Sequence, residues 1–245
     1  MAKPDSPARQ ISVSRIKAHL ADNGIACFGS FTIEPGETGD AANAGLAHSR
    51  LEGRQALLFG NAGGVMWEYF SASAECGDGK PDPMNRWTRR VTSEAVAQAA
   101  VQEQQALQCL YPFGEVLWPF QRWAKRAMGL QSSPLGLLIH PQYGLWFALR
   151  AAIVLPLGEQ FEDEGKQAQT HPCDACADKP CLSACPVGAY SQAGFDAAAC
   201  RNHLASGKPP DCMALGCAAR NACPVGTEWR YDEAQLQFHM AAFNR

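Results

Sequence analysis

No stretch of this 245-residue chain reaches the roughly 18 to 20 uninterrupted apolar residues that a membrane span needs. The most apolar region, LLIHPQYGLWFALRAAIVLPLG, is broken by His140, Pro141, Arg150 and Pro156. The N-terminus, MAKPDSPARQISVSRIKAHLADNG, lacks the apolar stretch and small-residue cleavage site of a secretory leader. Nor is there an excess of basic charge. A net charge of −3 and a pI near 6.1 do not suggest a surface built to coat nucleic acid, and leave room for a local basic patch. These absences point to the cytoplasm. There, eleven cysteines are not expected to form a disulfide framework, because the compartment keeps thiols reduced.

What the chain has instead is an uneven distribution of sulfur. Eight of the eleven cysteines fall between positions 173 and 223, while Cys27, Cys76 and Cys109 are scattered and are expected to be small core or surface residues rather than ligands. The pattern predicts an α/β body over residues 1–165, a cysteine-rich module over 166–228 and a tail over 229–245. The polar stretch GEQFEDEGKQAQ marks the joint between body and module.

In the body, SRIKAHLADNG reads as a helix with Ser14 as N-cap and Asn23-Gly24 as its stop. IACFGSFTI and RQALLFG read as strands, the second running through NAGG into a helix at VMWEYFSAS. Longer helices are expected over NRWTRRVTSEAVAQAAVQEQQAL and VLWPFQRWAKRAM, with Pro119 tolerated only in the first turn. LWFALRAAIVL reads as a buried strand. Strands alternating with helices around 47% hydrophobic residues predict an α/β core.

The module opens with C-x2-C-x4-C-x3-C-P, formed by Cys173, Cys176, Cys181 and Cys185. Bacterial ferredoxins use C-x2-C-x2-C-x3-C-P, in which three cysteines hold one [4Fe–4S] cluster and the fourth reaches the other. The two additional residues here fall around Asp178 and Lys179. Cys-Pro-Val-Gly then recurs at 223–226, closing a second, looser set of Cys200, Cys212, Cys217 and Cys223. Eight cysteines are the number that two [4Fe–4S] clusters require. The crossed rule groups Cys173, Cys176 and Cys181 with Cys223, and Cys200, Cys212 and Cys217 with Cys185. Four-cysteine zinc sites are the alternative, with His171, His203 or His239 as occasional ligands. A free-standing electron carrier needs no large body, so a redox partner protein or an attached active site is expected.

The segment LGLLIHPQYGLWFALRAAIVLPLG resembles the eukaryotic cobalamin-processing family that removes the upper ligand of cobalamins. The resemblance rests on Ile139-His140-Pro141, Tyr143-Gly144, Trp146-Phe147-Ala148, Arg150 and Leu155-Pro156. The same segment is similar to that of epoxyqueuosine reductase, a cobalamin-dependent iron–sulfur enzyme of tRNA modification that also places a two-cluster module directly afterwards. Reductive dehalogenases share the general plan. A bacterial group with an Ile-His-Pro-x-Tyr-Gly-x-Trp segment before a ferredoxin module resembles the chain most. The resemblance implies a nitroreductase-like α/β body with a cobalamin or flavin pocket lined by His140, Tyr143, Gly144, Trp146 and Arg150. It makes Glu115 and His140 the candidates for catalysis. His140 also reads as a hydrogen-bonded turn residue, and Trp146, Phe147 and Trp118 read as core aromatics. Asn61-Ala62-Gly63-Gly64 is a weak phosphate-cradle candidate. Arg86, Arg89, Arg90, Arg122, Lys125 and Arg126 read as solvated helix faces, so tRNA is not expected as a partner.

Overall fold

The computed structural model describes residues 13–37, 51–99, 107–158, 161, 170–191 and 194–244. Its elements in chain order are α1 (Val13–Ala21), β1 (Ala26–Thr32), β2 (Gln55–Ala62), α2 (Val65–Ser71), α3 (Ala74–Gly77), α4 (Pro83–Ala99), β3 (Gln108–Leu110), α5 (Phe120–Met128), β4 (Gln131–Ser132), β5 (Leu138–Ile139) and β6 (Phe147–Val154). There follow α6 (Pro180–Ser183), β7 (Tyr190–Ser191), β8 (Gly194–Phe195), α7 (Ala197–Ser206), α8 (Cys212–Leu215), α9 (Ala218–Asn221) and α10 (Glu233–Phe243).

The body is built on a four-stranded sheet in the order β1-β2-β6-β3, and every pairing is antiparallel. Side chains alternate across it, as the two-residue period of a strand requires. From β2, Leu57 and Phe59 enter one core, with Ile153 of β6, Ile16 and Leu20 of α1, and Trp87 and Val91 of α4. Ala56 and Leu58 face the opposite side, where Ala152, Val154 and the α5 residues Phe120 and Trp123 form a second core. Helices therefore cover both faces. At about 25 cal/mol per Å² of apolar surface, such double-sided burial is the main term opposing chain entropy.

Several expected boundaries are observed. The first helix ends at Ala21, where Asn23 donates to the His19 carbonyl and Gly24 takes φ +70°. Pro119 stands as the N-cap of α5, where its missing N–H costs no helical bond. The helix expected over 85–107 is α4, which begins at Pro83; residues 100–106 lie outside the described residues. The joint expected at 158–169 also lies largely outside them.

The sulfur-bearing segment packs onto the body through a third cluster. Leu135, Ile139 and Leu145 meet Cys181, Ala219 and Cys223, with Cys173, Val225 and Tyr190 at its edge. The final helix, α10, lies against α8, and its Phe238 ring packs on Trp67 and Phe70 of α2. Among the described residues, no helix is long and apolar enough to cross a membrane.

Candidate functional site

All eleven cysteines are free thiols. Lys179 takes φ +40° as N-cap of α6, with Pro180 following it, so the two residues added to the ferredoxin spacing are absorbed in one left-handed turn. That turn carries Cys181 back toward Cys173 and Cys176. Burial first, then the thiols of Cys223, Cys181 and Cys176, push Cys173 up to about 11. Cys181 is raised by burial and by the same neighbours, Cys223 and Cys176. Cys200 is raised by burial and then by Cys217, Cys185 and Cys212. Cys212 is raised by burial and, beyond it, by Cys217 and Cys185. The thiols thus sense one another as two quartets, 173/176/181/223 and 185/200/212/217.

Polar hydrogens face the sulfurs. Ala189 N–H donates to Cys185 Sγ at 3.3 Å, and the Tyr190 hydroxyl stands 3.8 Å from Cys217 Sγ. Backbone N–H groups of Leu182 and Ala218 bear on Cys181 and Cys212. Donors aimed at sulfur suit thiolates that carry charge. A single zinc ion would draw its sulfurs to within about 3.8 Å of one another, given a Zn–S bond of about 2.3 Å. Among the described residues, no three His, Cys, Asp or Glu side chains are gathered closely enough to hold one ion. His171 is otherwise engaged, accepting from Cys173 N–H at Nδ1 and reaching the Ser132 carbonyl from Nε2. His203 bonds the Pro210 carbonyl.

The His140–Gly144 segment is a tight turn closed by reciprocal backbone bonds of 2.9 and 2.8 Å. His140 Nδ1 accepts the N–H groups of Gln142 and Tyr143, so the ring is a turn cap, and burial lowers its pKa. Its ring stacks on Tyr143 at 4.2 Å. Gly144 presses its backbone against the Val225 carbonyl, and Gly226 presses back on Tyr143. Arg220 adds a bond of 2.6 Å to the Leu145 carbonyl. The turn is therefore the seat on which the second Cys-Pro-Val-Gly rests.

A cleft of about 840 Å³ opens beside it. Trp118, Phe120, Leu138, Phe147 and Leu149 give it apolar walls, while Arg122, Lys125 and Arg220 give it a cationic lining, beside His239 and without Asp or Glu. His140, Tyr143, Gly144, Trp146 and Arg150 are not among its lining residues. Trp146 and Arg150 are buried behind it, and the other three belong to the seat. Glu115 sits exposed between the lining residues Pro112 and Trp118 without lining the cleft itself. Tyr231 and Arg220 were not anticipated from sequence, because each lies far along the chain from the strand it joins. The Asn61–Gly64 turn is covered by Trp229 at Gly63 and precedes a helix of seven residues, so it offers no open phosphate cradle. Cys27, Cys76 and Cys109 pack against the first core.

Of the six basic residues expected on solvated faces, Arg86 pairs with Asp78, Arg90 with Glu75, and Arg126 with Glu37. Arg89 lies over the rings of Tyr111 and Phe113. Arg122 and Lys125 turn instead to the cleft.

No family model and no curated protein matches the chain. Among solved structures, it is similar to epoxyqueuosine reductase bound to an epoxyqueuosine-modified tRNA stem loop, with a TM-score of 0.53 at 16% identity, over 89% of this chain and 66% of that one. The selenomethionine-labelled epoxyqueuosine reductase gives 0.54 at 16% identity over 91% and 68%, and the Bacillus subtilis enzyme 0.51 at 16% over 88% and 65%. A C. elegans B12-trafficking protein, CblC, aligns over 93% of this chain and 89% of that one at 15% identity, with a TM-score of 0.49. The chain spans just under two thirds of the first of these proteins. The expectation that tRNA is not a partner is corrected by the tRNA-bound structure, because a low net charge does not exclude a fold that is found holding a stem loop. By its architecture, the chain has the mixed α/β fold of epoxyqueuosine reductase.

Proposed function

We propose that this is an iron–sulfur redox protein in which two thiol quartets hold two [4Fe–4S] clusters and deliver electrons to a cofactor in the adjoining cleft. The reading rests on the C-x2-C-x4-C-x3-C-P spacing and its second Cys-Pro-Val-Gly, and the nearness of Cys223 to Cys173 and Cys181 and of Cys185 to Cys200 and Cys212 supports the crossed grouping. This is the arrangement that two-cluster ferredoxin modules use. Bound clusters would supply one-electron transfer. The chain's own residues position it: the Gly144–Gly226 contact sets the Cys223 quartet against the body, and Phe147 and Trp118 offer flat walls to a cofactor. The volume, about 840 Å³, falls within the roughly 300–1,000 Å³ of cofactor sites. A corrinoid is the first candidate and a flavin the second.

Anaerobic purification tests the clusters. Brown protein with about eight irons per chain is expected, and colourless zinc-bearing protein would overturn the reading. Cys176→Ala and Cys223→Ala should remove the same cluster signal, and Cys185→Ala the other. Should Cys223→Ala pair with Cys185→Ala instead, the crossing is wrong. Titration with cob(II)alamin tests the cleft: a spectral shift is expected, and an unchanged spectrum at high concentration removes the corrinoid. A tRNA stem-loop substrate is the second reading. It is favoured by the shared fold and by Arg122 and Lys125 exposed at the cleft. Retardation of a tRNA stem loop, lost in the Arg122→Ala/Lys125→Ala double variant, would establish it.

A further inference from the structure

Behind the cleft lies a concentration of buried polar atoms that no group among the described residues satisfies. Arg150, on β6, is buried, and its Nε donates to Asn61 Oδ1 at 2.8 Å, yet its Nη2 has no partner. Asn61 Nδ2, Trp146 Nε1, the Tyr231 hydroxyl and His239 Nε2 are buried and unpartnered as well. Gln235, wholly buried on α10 and near Gly64, leaves both ends of its amide unpaired. Native interiors leave few such groups, since each costs about 1–3 kcal/mol.

These atoms share one neighbourhood. The Trp146 ring meets Tyr231 at 5.4 Å, and Tyr231 meets His239 at 5.4 Å. The Arg220 guanidinium lies 4.3 Å over Trp146 and 4.8 Å over Tyr231. Burial, then the charges of Arg150 and Arg220, hold His239 down to about 3, so its ring is neutral. No carboxylate answers Arg150: among the described residues, none of the ion pairs includes it.

The chemistry of the gap identifies its occupant. The free positions on Arg150, Asn61, Trp146 and Tyr231 can all donate a hydrogen bond, and His239 Nε2 can do so in one tautomer. Water would accept some of these bonds but would leave the buried guanidinium uncompensated, at a cost of several kcal/mol. An oxygen-rich anion answers both demands, accepting several hydrogen bonds and neutralising the charge. Entry is provided, because Arg220, Tyr231 and His239 also line the cleft.

We propose that Arg150, Asn61, Trp146, Tyr231 and His239 form an oxyanion site beneath the C-terminal helix, taking a phosphate or carboxylate group. The group is either a free inorganic anion or the anionic arm of a molecule seated in the cleft. The site stands whether or not the thiols hold clusters, and iron content is measured separately from it.

The experiment is calorimetric titration of the full-length protein with inorganic phosphate, and with acetate, at constant ionic strength against chloride. Saturable phosphate or acetate heat and a raised melting temperature are expected. Arg150→Met should weaken anion binding at least tenfold. Without added anion, that variant should melt no lower than the parent, since a buried unpaired charge has been removed. Should Arg150→Met fail to fold, Tyr231→Phe keeps the ring and is expected to weaken binding by several-fold. Responses to phosphate and acetate identical to chloride, or equal affinity in parent and variants, would overturn the site. Repeating the titration with hydroxocobalamin present separates the sources. Blocked phosphate uptake assigns the site to an arm of the cleft ligand, and unchanged uptake assigns it to a free anion.

Discussion

The tetrapeptide Cys-Pro-Val-Gly occurs twice, and its two copies meet different surroundings. At 185–188, Pro186, Val187 and Gly188 face solvent, and an added Cβ at Gly188 would meet nothing within 4 Å. At 223–226, Cys223 and Gly226 are buried, Val225 joins the cluster that packs module on body, and Gly226 presses on Tyr143. The backbone nevertheless turns the same way, with φ +59° at Gly188 and +67° at Gly226. Local sequence therefore sets the turn, while the partner surface sets the role. One copy is a loop left open to solvent, and the other is a joint.

The contrast breaks most sharply at the joint. Gly226→Ala adds a Cβ that collides with Tyr143 backbone, at a φ that L-residues rarely adopt. Backbone cannot swing aside as a flexible side chain can, so a loss of about 3 kcal/mol or more is expected in urea denaturation. A loss below about 1 kcal/mol would show that the turn and the second copy do not touch.

Next in size is Arg220→Met in anion-free buffer. Arg220 reaches the Leu145 carbonyl through both Nε and Nη2, at 3.2 and 2.6 Å, and stacks over Trp146. Losing a charged donor and a cation–π contact is expected to cost about 2 kcal/mol. A loss below about 0.5 kcal/mol would show that Arg220 does not hold the seat of the second copy.

Gly188→Ala isolates the turn from its surroundings. With open space around the new methyl, only the left-handed backbone opposes it, at about 1 kcal/mol. The difference between Gly226→Ala and Gly188→Ala measures the joint alone, because the turn cost cancels.

The joint also marks where the sequence was readable and where it was not. The repeat, the left-handed stop at Gly24 and the buried strand at 147–154 could be read locally, because each depends on neighbours within a few residues. The antiparallel order β1-β2-β6-β3 depends on pairings across as many as 98 positions, such as Ala56 with Val154, and alternation of strand and helix carries no such information. The family resemblance places a pocket at His140, Tyr143, Gly144, Trp146 and Arg150. Instead, Gly144 is consumed by the Val225 carbonyl, and the cleft recruits Arg220, Tyr231 and His239. A second glycine held at positive φ in a repeated motif was the available signal, but its partner lay 82 positions away.

Val187→Ala is the gentlest probe. The side chain is 41% exposed, so truncation removes little buried surface and should change stability by no more than about 0.5 kcal/mol. Val225→Ala, at the matching position of the second copy, removes the same two methyls from a packed cluster and is expected to cost about 1–2 kcal/mol. Both substitutions raise helix propensity equally and spare every thiol, so their difference reports packing on the body alone. Equal small losses would mean that Val225 faces solvent as Val187 does, and the second copy would then be an open loop rather than a joint.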